Sequence, residues 1–357
     1  MSDGGLRGAD LARAFFTEVV APLLGQTVPG LPYAAGRLGS GSDVLGLDDA
    51  MSRDHDWGCR LTLLVDQDAR DQVPEICQML EERLPERFGE FPGRFPVTWD
   101  SSVTHKVQVA TVAEFAASRL GVDPAGGLSV LDWLSLTGQS VLEVTAGPVF
   151  IDRTRTLASV RAMLAWYPPD VERYVLAAGW RRVGQALPMM GRAAEAGDDL
   201  GSRLLSAGLA ADLVWLAFGL SRRWAPYAKW RGTVFRSLPV AARLGPLLAP
   251  LLDAAAAPGW REREDALAAG CEVLLDVQRE RGLPAPGSAV IPFFDRPYRT
   301  LDEAVPRALL DAITDPEVAR LPPMIGSLEQ WIDSTDVLSS PGRRAALRAA
   351  YRGLVDA

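Results

Sequence analysis

GRLGSGSDVLGLDDAMSRDHDWG, residues 36–58, sets a Gly-Ser-Gly-Ser run ahead of five carboxylates, Asp43, Asp48, Asp49, Asp54 and Asp56. Glycine permits close backbone approach, and a serine hydroxyl with neighbouring N–H groups can hold a phosphate. Asp54 and Asp56 flank His55 and lead into CRLTLLV, residues 59–65, a short β-rich run. In an extended segment residues two apart share a face, so the two carboxylates would point together. Such anions repel until a proton or a cation joins them. Two Mg²⁺ ions about 3.5–4 Å apart are what oxygen ligands of this kind support where one oxygen displaces another on phosphorus. Eleven residues, 43 to 53, separate Ser42 from Asp54, so the turn can meet one end of a triphosphate and the acid pair the other.

Working outward, ADLARAFFTEVVAPLLG repeats apolar side chains at Leu11, Phe15, Val19 and Leu23, which predicts one face of a helix ending near Gly25. ARDQVPEICQMLEERL has a helical pattern, and HKVQVATV, residues 105–112, alternates like a half-buried strand. Strands separated by helices place an α/β arrangement over residues 1–150. Beyond about Gly147, Ala, Leu and Arg dominate segments of helical length, and residues 151–357 are expected to form a helical bundle with Pro-bearing connections. The fold class expected is α+β, a small mixed sheet domain followed by an all-α domain. LVWLAFGL, residues 213–220, reads as a buried helix rather than a membrane span.

A chain of 357 residues with 48% hydrophobic and 23% charged residues can fill two cores, which excludes a disordered or fibrous protein. Its 45 acidic against 37 basic side chains give a formal charge of −8, which argues against long nucleic acid as the main partner. Cys59, Cys77 and Cys271 are far apart and lack C-x-x-C spacing, so neither a disulfide framework nor a zinc site is indicated. With no secretory pattern at the start, a cytoplasmic location without membrane attachment is the expectation.

Gly41-Ser42, the intervening segment and Asp54-His55-Asp56 resemble the signature of the DNA polymerase beta-type nucleotidyltransferase superfamily, which includes the kanamycin and lincosamide nucleotidyltransferases. GSGSDVLGLDDAMSRDHDWG, with RWAPYAKW and the late GSLEQWIDSTDVL, is also similar to a bacterial nucleotidyltransferase-like family of unknown function. The resemblance implies a nucleotidyltransferase sheet domain, phosphate binding at Gly41 and Ser42, and two Mg²⁺ ions held with an NTP by Asp54 and Asp56. It also implies a third acid on a later strand, where HKVQVATV offers Gln108, a weaker Mg²⁺ ligand and no base. Asp100, Glu114 and Glu143 are the substitutes within reach of the pattern.

The remaining candidates keep two readings each. Ser40, paired with Gly39, can belong to the phosphate turn. Lys229 in RRWAPYAKWRG either balances triphosphate charge or packs its stem on Trp224, Tyr227 or Trp230. Asp43, Asp48 and Asp49 read as loop solvation and turn formers. GSLEQWIDSTD, residues 326–336, either lines an acceptor pocket or caps bundle helices. The function expected is Mg²⁺-dependent transfer of a nucleoside monophosphate from an NTP to a hydroxyl of a small molecule, with pyrophosphate released. The acidic balance suits a cationic acceptor. Nucleotide transfer to a protein hydroxyl, and an inactive nucleotide-binding protein, are the alternatives.

Overall fold

The computed structural model describes residues 6–53, 56–98, 100–253, 258–323 and 325–355. The chain forms two compact units, neither of them a single run of sequence. Unit 1 holds Met1–Leu128, Gln139–Ala165 and Ser339–Gly342; unit 2 holds Ser129–Gly138, Trp166–Leu338 and Arg343–Ala357.

Unit 1 is built on five strands: β1 (Tyr33–Gly36), β2 (Arg60–Val65), β3 (Arg94–Val97), β4 (Asp100–Thr111) and β5 (Val149–Asp152). They lie in the order β3-β4-β2-β1-β5, with β2 and β4 parallel and every other neighbour antiparallel, so the sheet is mixed as expected. β2 is an apolar run because it is central: Leu61, Leu63, Leu64 and Val65 are all buried. Helices α1 (Gly8–Phe15), α2 (Ala21–Thr27) and α3 (Val73–Arg83) contribute Leu11, Phe15, Leu24, Ile76 and Leu80 to the core on the sheet. Helix α4 (Val112–Leu120) starts on a capping box in which Thr111 and Glu114 satisfy each other's backbone N–H. Helix α5 (Gly138–Thr145) precedes β5.

The helical face expected from Leu11, Phe15, Val19 and Leu23 is corrected at its second half. Between α1 and α2 runs a π turn, Phe16–Val20, and the buried positions become Leu11, Phe15, Val20 and Leu24. A π turn takes in one more residue than an α turn, which moves the apolar stripe by one position.

Unit 2 is a bundle of α6 (Pro169–Glu195), α7 (Asp199–Leu220), α8 (Ala228–Phe235), α9 (Ala241–Leu252), α10 (Trp260–Glu280) and α11 (Ala304–Asp311), with further short elements. Trp180, fully buried in α6, donates its indole N–H to Gln278 Oε1 of α10 at 2.7 Å, so the largest core side chain has its polar atom satisfied. The apolar run expected in α7 buries Leu213, Leu216, Ala217, Phe218 and Leu220 in this core. By length and composition α7 is long and apolar enough to cross a bilayer, which the sequence reading did not anticipate.

Candidate active site

The turn that follows β1 is closed by an ion pair. Arg37 donates from Nε to Asp43 Oδ2 at 2.6 Å and from Nη2 to Asp43 Oδ1 at 2.8 Å, with both side chains buried. Two further N–H groups go to the carbonyls of Leu38 and Ser40, each at 2.7 Å. Asp43, expected to be a solvated loop residue, is thus the anchor of the turn. The backbone passes over this pair at Gly41, whose φ is +134°. A Cβ there would stand 2.3 Å from Asp43 Oδ1 and 2.5 Å from Arg37 Nη2, so only glycine fits. The turn is tied to its neighbours by Gly39 N–H on the Glu143 carbonyl at 2.7 Å and Arg37 N–H on the Pro148 carbonyl at 3.0 Å.

Beside the turn lies a cleft of about 670 Å³, formed wholly within unit 1, whose floor is the parallel pair β2 and β4. The register sets Arg60 opposite Lys106 and Thr62 opposite Gln108. Arg37, Arg60, Lys106 and Arg119 supply its cations and Asp100 and Glu143 its carboxylates. Arg60 donates to the Asp56 carbonyl at 2.9 Å and to Ser40 Oγ at 3.3 Å. Burial first, and then the neighbouring Arg37 and Arg119 charges, bring the Arg60 guanidinium down to about 9, against partial support from Asp43 and Asp56.

Gln108 stands where a third acid is expected. Its Oε1 accepts from Arg119 Nη2 at 2.9 Å, and Arg119 Nη1 lies 3.5 Å from Glu143 Oε2. Arg119 therefore joins the strand amide to a carboxylate delivered by α5. Of the three substitutes, Glu143 and Asp100 line the cleft. Glu114 is occupied by the Thr111 cap and by Arg70 at 2.6 Å. Asp100 accepts from Ser102 N–H at 3.0 Å.

The other expected site residues fall as follows. Ser40 lines the cleft. Ser42 opens a 3₁₀ turn, Ser42–Leu45, and its carbonyl accepts from Leu47 N–H at 2.9 Å. Asp54 and His55 lie outside the described residues. Asp56 is not in extended conformation: its φ is +56°, which removes the two-residue alternation invoked for the pair. Its carboxylate accepts from Thr98 N–H at 2.6 Å and Thr98 Oγ1 at 2.7 Å, using about two of the four acceptor positions of a carboxylate. Among the described residues no three His, Cys, Asp or Glu side chains are grouped to hold a metal ion. Lys229 belongs to unit 2 and is exposed, with Nζ 4.9 Å from the centroid of the Trp230 ring. His105 also lines the cleft; burial lowers its basicity, with partial compensation from Glu81, whose carboxylate lies 3.5 Å away. Arg37, Arg60 and Arg119 were not singled out in the sequence, and only the Arg37–Asp43 spacing across the Gly-Ser turn could have flagged one of them.

Residues 133–231 match a family described as "Domain of unknown function (DUF4037)". No curated protein is matched by the sequence. Among solved structures, the chain is similar to a nucleotidyltransferase-like protein from Exiguobacterium sibiricum 255-15 at 15% identity. That match covers 77% of this chain and 81% of the other, with a TM-score of 0.29. Backbones at that score share no global superposition, so the function of this chain has to be read from its own residues.

Proposed function

We propose that unit 1 is a nucleotidyltransferase that moves a nucleoside monophosphate from an NTP to a hydroxyl of a small molecule. The observation that carries this reading is a glycine turn, locked by a buried Arg37–Asp43 pair, beside a cleft lined by Arg60, Lys106 and Arg119. Four cations, Arg37, Arg60, Lys106 and Arg119, against two carboxylates, Asp100 and Glu143, give this cleft a positive lining in a chain with net charge −8, which suits a polyanion. Asp54 and Asp56 are the residues that would hold Mg²⁺, and the ions when bound would offset phosphate charge.

In this reading Ser40 and the backbone around Gly41 orient the terminal phosphates. Arg60 and Arg119 face the charge that grows as the bond between the α-phosphorus and its bridging oxygen breaks. The acceptor oxygen forms the new bond to the α-phosphorus, and pyrophosphate leaves with the electron pair. Glu143, joined to Gln108 through Arg119, is the carboxylate to which this reading gives the acceptor's proton.

A second reading is favoured by Gln108 and by the engagement of Asp56 with Thr98: a protein that binds the nucleotide without turning it over. Incubation with each labelled NTP, Mg²⁺ and cell lysate separates them. Pyrophosphate with a labelled small molecule supports the first reading, and labelled protein points to a protein acceptor. Bound NTP without pyrophosphate supports the second reading.

A further inference from the structure

A second cavity of about 260 Å³ lies wholly within unit 2, and the cleft of unit 1 makes no use of it. Two of its walls are helices, and both carry glycine in the lining. Gly179 of α6 and Gly208 of α7 line it, and a Cβ at Gly208 would meet nothing within 4 Å. A third wall is the segment GSLEQWIDSTD, tied to its neighbours at Gly326 and Gln330. Gln330 donates from Nε2 to the Val175 carbonyl at 2.9 Å, and Tyr351 donates to the Gly326 carbonyl at 2.8 Å. Trp166 and Trp215 present half-buried indoles to the space.

The polar lining is unequal in charge. Glu172, Asp212, Glu329 and Asp333 face two guanidinium groups, Arg182 and Arg231. Glu172 is accounted for by Arg222 and Arg281 at 2.8 and 2.7 Å, and Asp212 by Arg182 at 3.2 Å. Glu329 differs. It accepts the Gly138 N–H at 2.9 Å, yet it keeps partly accessible surface while set deep among protein atoms, which is the condition of a carboxyl facing a cavity. Arg231 of α8 and Arg344 of the C-terminal helix lower its pKa, but burial dominates and pushes the carboxyl up to about 7. Tyr167, whose buried phenol is raised further by Glu329, Arg182 of α6, Asp212 of α7 and Asp333 complete its charged and titratable surroundings in the cavity wall.

We infer that this cavity binds a small aromatic molecule bearing one cationic nitrogen, with the ring between Trp166 and Trp215 and the ammonium on Glu329. An aromatic surround favours a flat apolar body and a cation over an anion, and the Arg231 and Arg344 charges only partly offset the burial of Glu329, which a cationic ligand would offset further. The inference stands on unit 2 alone and holds whether or not unit 1 transfers nucleotides.

Calorimetric titration of the full chain with phenethylamine, without any NTP, tests it, with phenethyl alcohol and 3-phenylpropionate as the neutral and anionic counterparts. The amine is expected to bind at least about tenfold more tightly than either counterpart, the difference a charge-assisted hydrogen bond makes. Its affinity should rise from pH 6 to pH 8 as Glu329 ionises. Glu329→Gln, which keeps an acceptor for Gly138, should remove both the preference and the pH dependence. Gly208→Phe, at a helix position open to added side chain, should block all three probes while circular dichroism stays unchanged. Absence of amine binding, equal or tighter binding of the carboxylate, or full amine binding by either variant would overturn the proposal.

Discussion

Arg37 and Asp43 meet in a two-pronged ion pair, 2.6 and 2.8 Å, buried under the Gly-Ser turn. Geometry of that kind fixes both direction and distance, and here it dictates the path of the backbone between the two residues. Asp43→Asn leaves a buried guanidinium without its counter-charge. It should lower stability by about 3–5 kcal/mol in urea unfolding and weaken NTP binding with it. An unchanged midpoint would mean that the pair does not hold the turn.

Gly41→Ala asks a Cβ to occupy space already filled by Asp43 and Arg37, at a φ of +134°. The expected cost is about 1–3 kcal/mol from backbone conformation alone, with a larger loss once the pair shifts. Thermal unfolding measures this. Gly46→Ala makes the comparison, because Gly46 also has positive φ, +67°, but nothing within 4 Å of its Cβ position. Only the Gly41 variant should lose nucleotide affinity.

Arg60 gives the cleft a pH signature. Its guanidinium, brought down to about 9 chiefly by burial, is charged at neutral pH and loses its proton as pH rises through that value. Triphosphate affinity, measured between pH 7 and 10, should therefore fall above about 9. Arg60→Met should bind weakly throughout and show no such break. A break of equal size in the variant would assign it to another group.

Glu329 gives unit 2 a signature of opposite kind. Its folded-state pKa is raised from the ordinary 4.5 to about 7, so the folded chain holds a proton that the unfolded chain has released over that window. Stability should then fall as pH rises from about 4.5 to 7, by an amount on the order of 1–3 kcal/mol. Glu329→Gln should flatten that part of the curve in denaturant titrations from pH 4 to 8. An identical slope in the variant would exclude Glu329 as its source.

The parts of this fold written in local pattern were legible. Alternation marked the strand through His105–Thr111, and the β-rich run at residues 59–65 marked a short strand, whose central place the sequence did not give. The π turn at Phe16–Val20 was not, because one added residue leaves a four-residue repeat that still looks helical. At the site, the Gly-Ser turn was legible from glycine chemistry, whereas Asp43 was read as a solvated turn residue because its partner lies six residues upstream, across the turn. Arg60 and Arg119 come from separate elements, and only the parallel pairing of β2 with β4 and the approach of α4 bring them to one cleft. Asp56 illustrates the reverse error: a two-residue spacing argues for a shared face only in extended backbone, and this residue is left-handed.

The claim on which the account rests is that a nucleotide's phosphates sit against the locked glycine turn. A crystal structure of the protein soaked with a non-hydrolysable NTP and Mg²⁺ tests it most directly. The triphosphate is expected within hydrogen-bond distance of Ser40, Arg60 and Arg119, with metal density between it and the carboxylates of Asp54 and Asp56. Nucleotide bound elsewhere, or a cleft that stays empty at saturating NTP with Asp56 still on Thr98, would contradict it.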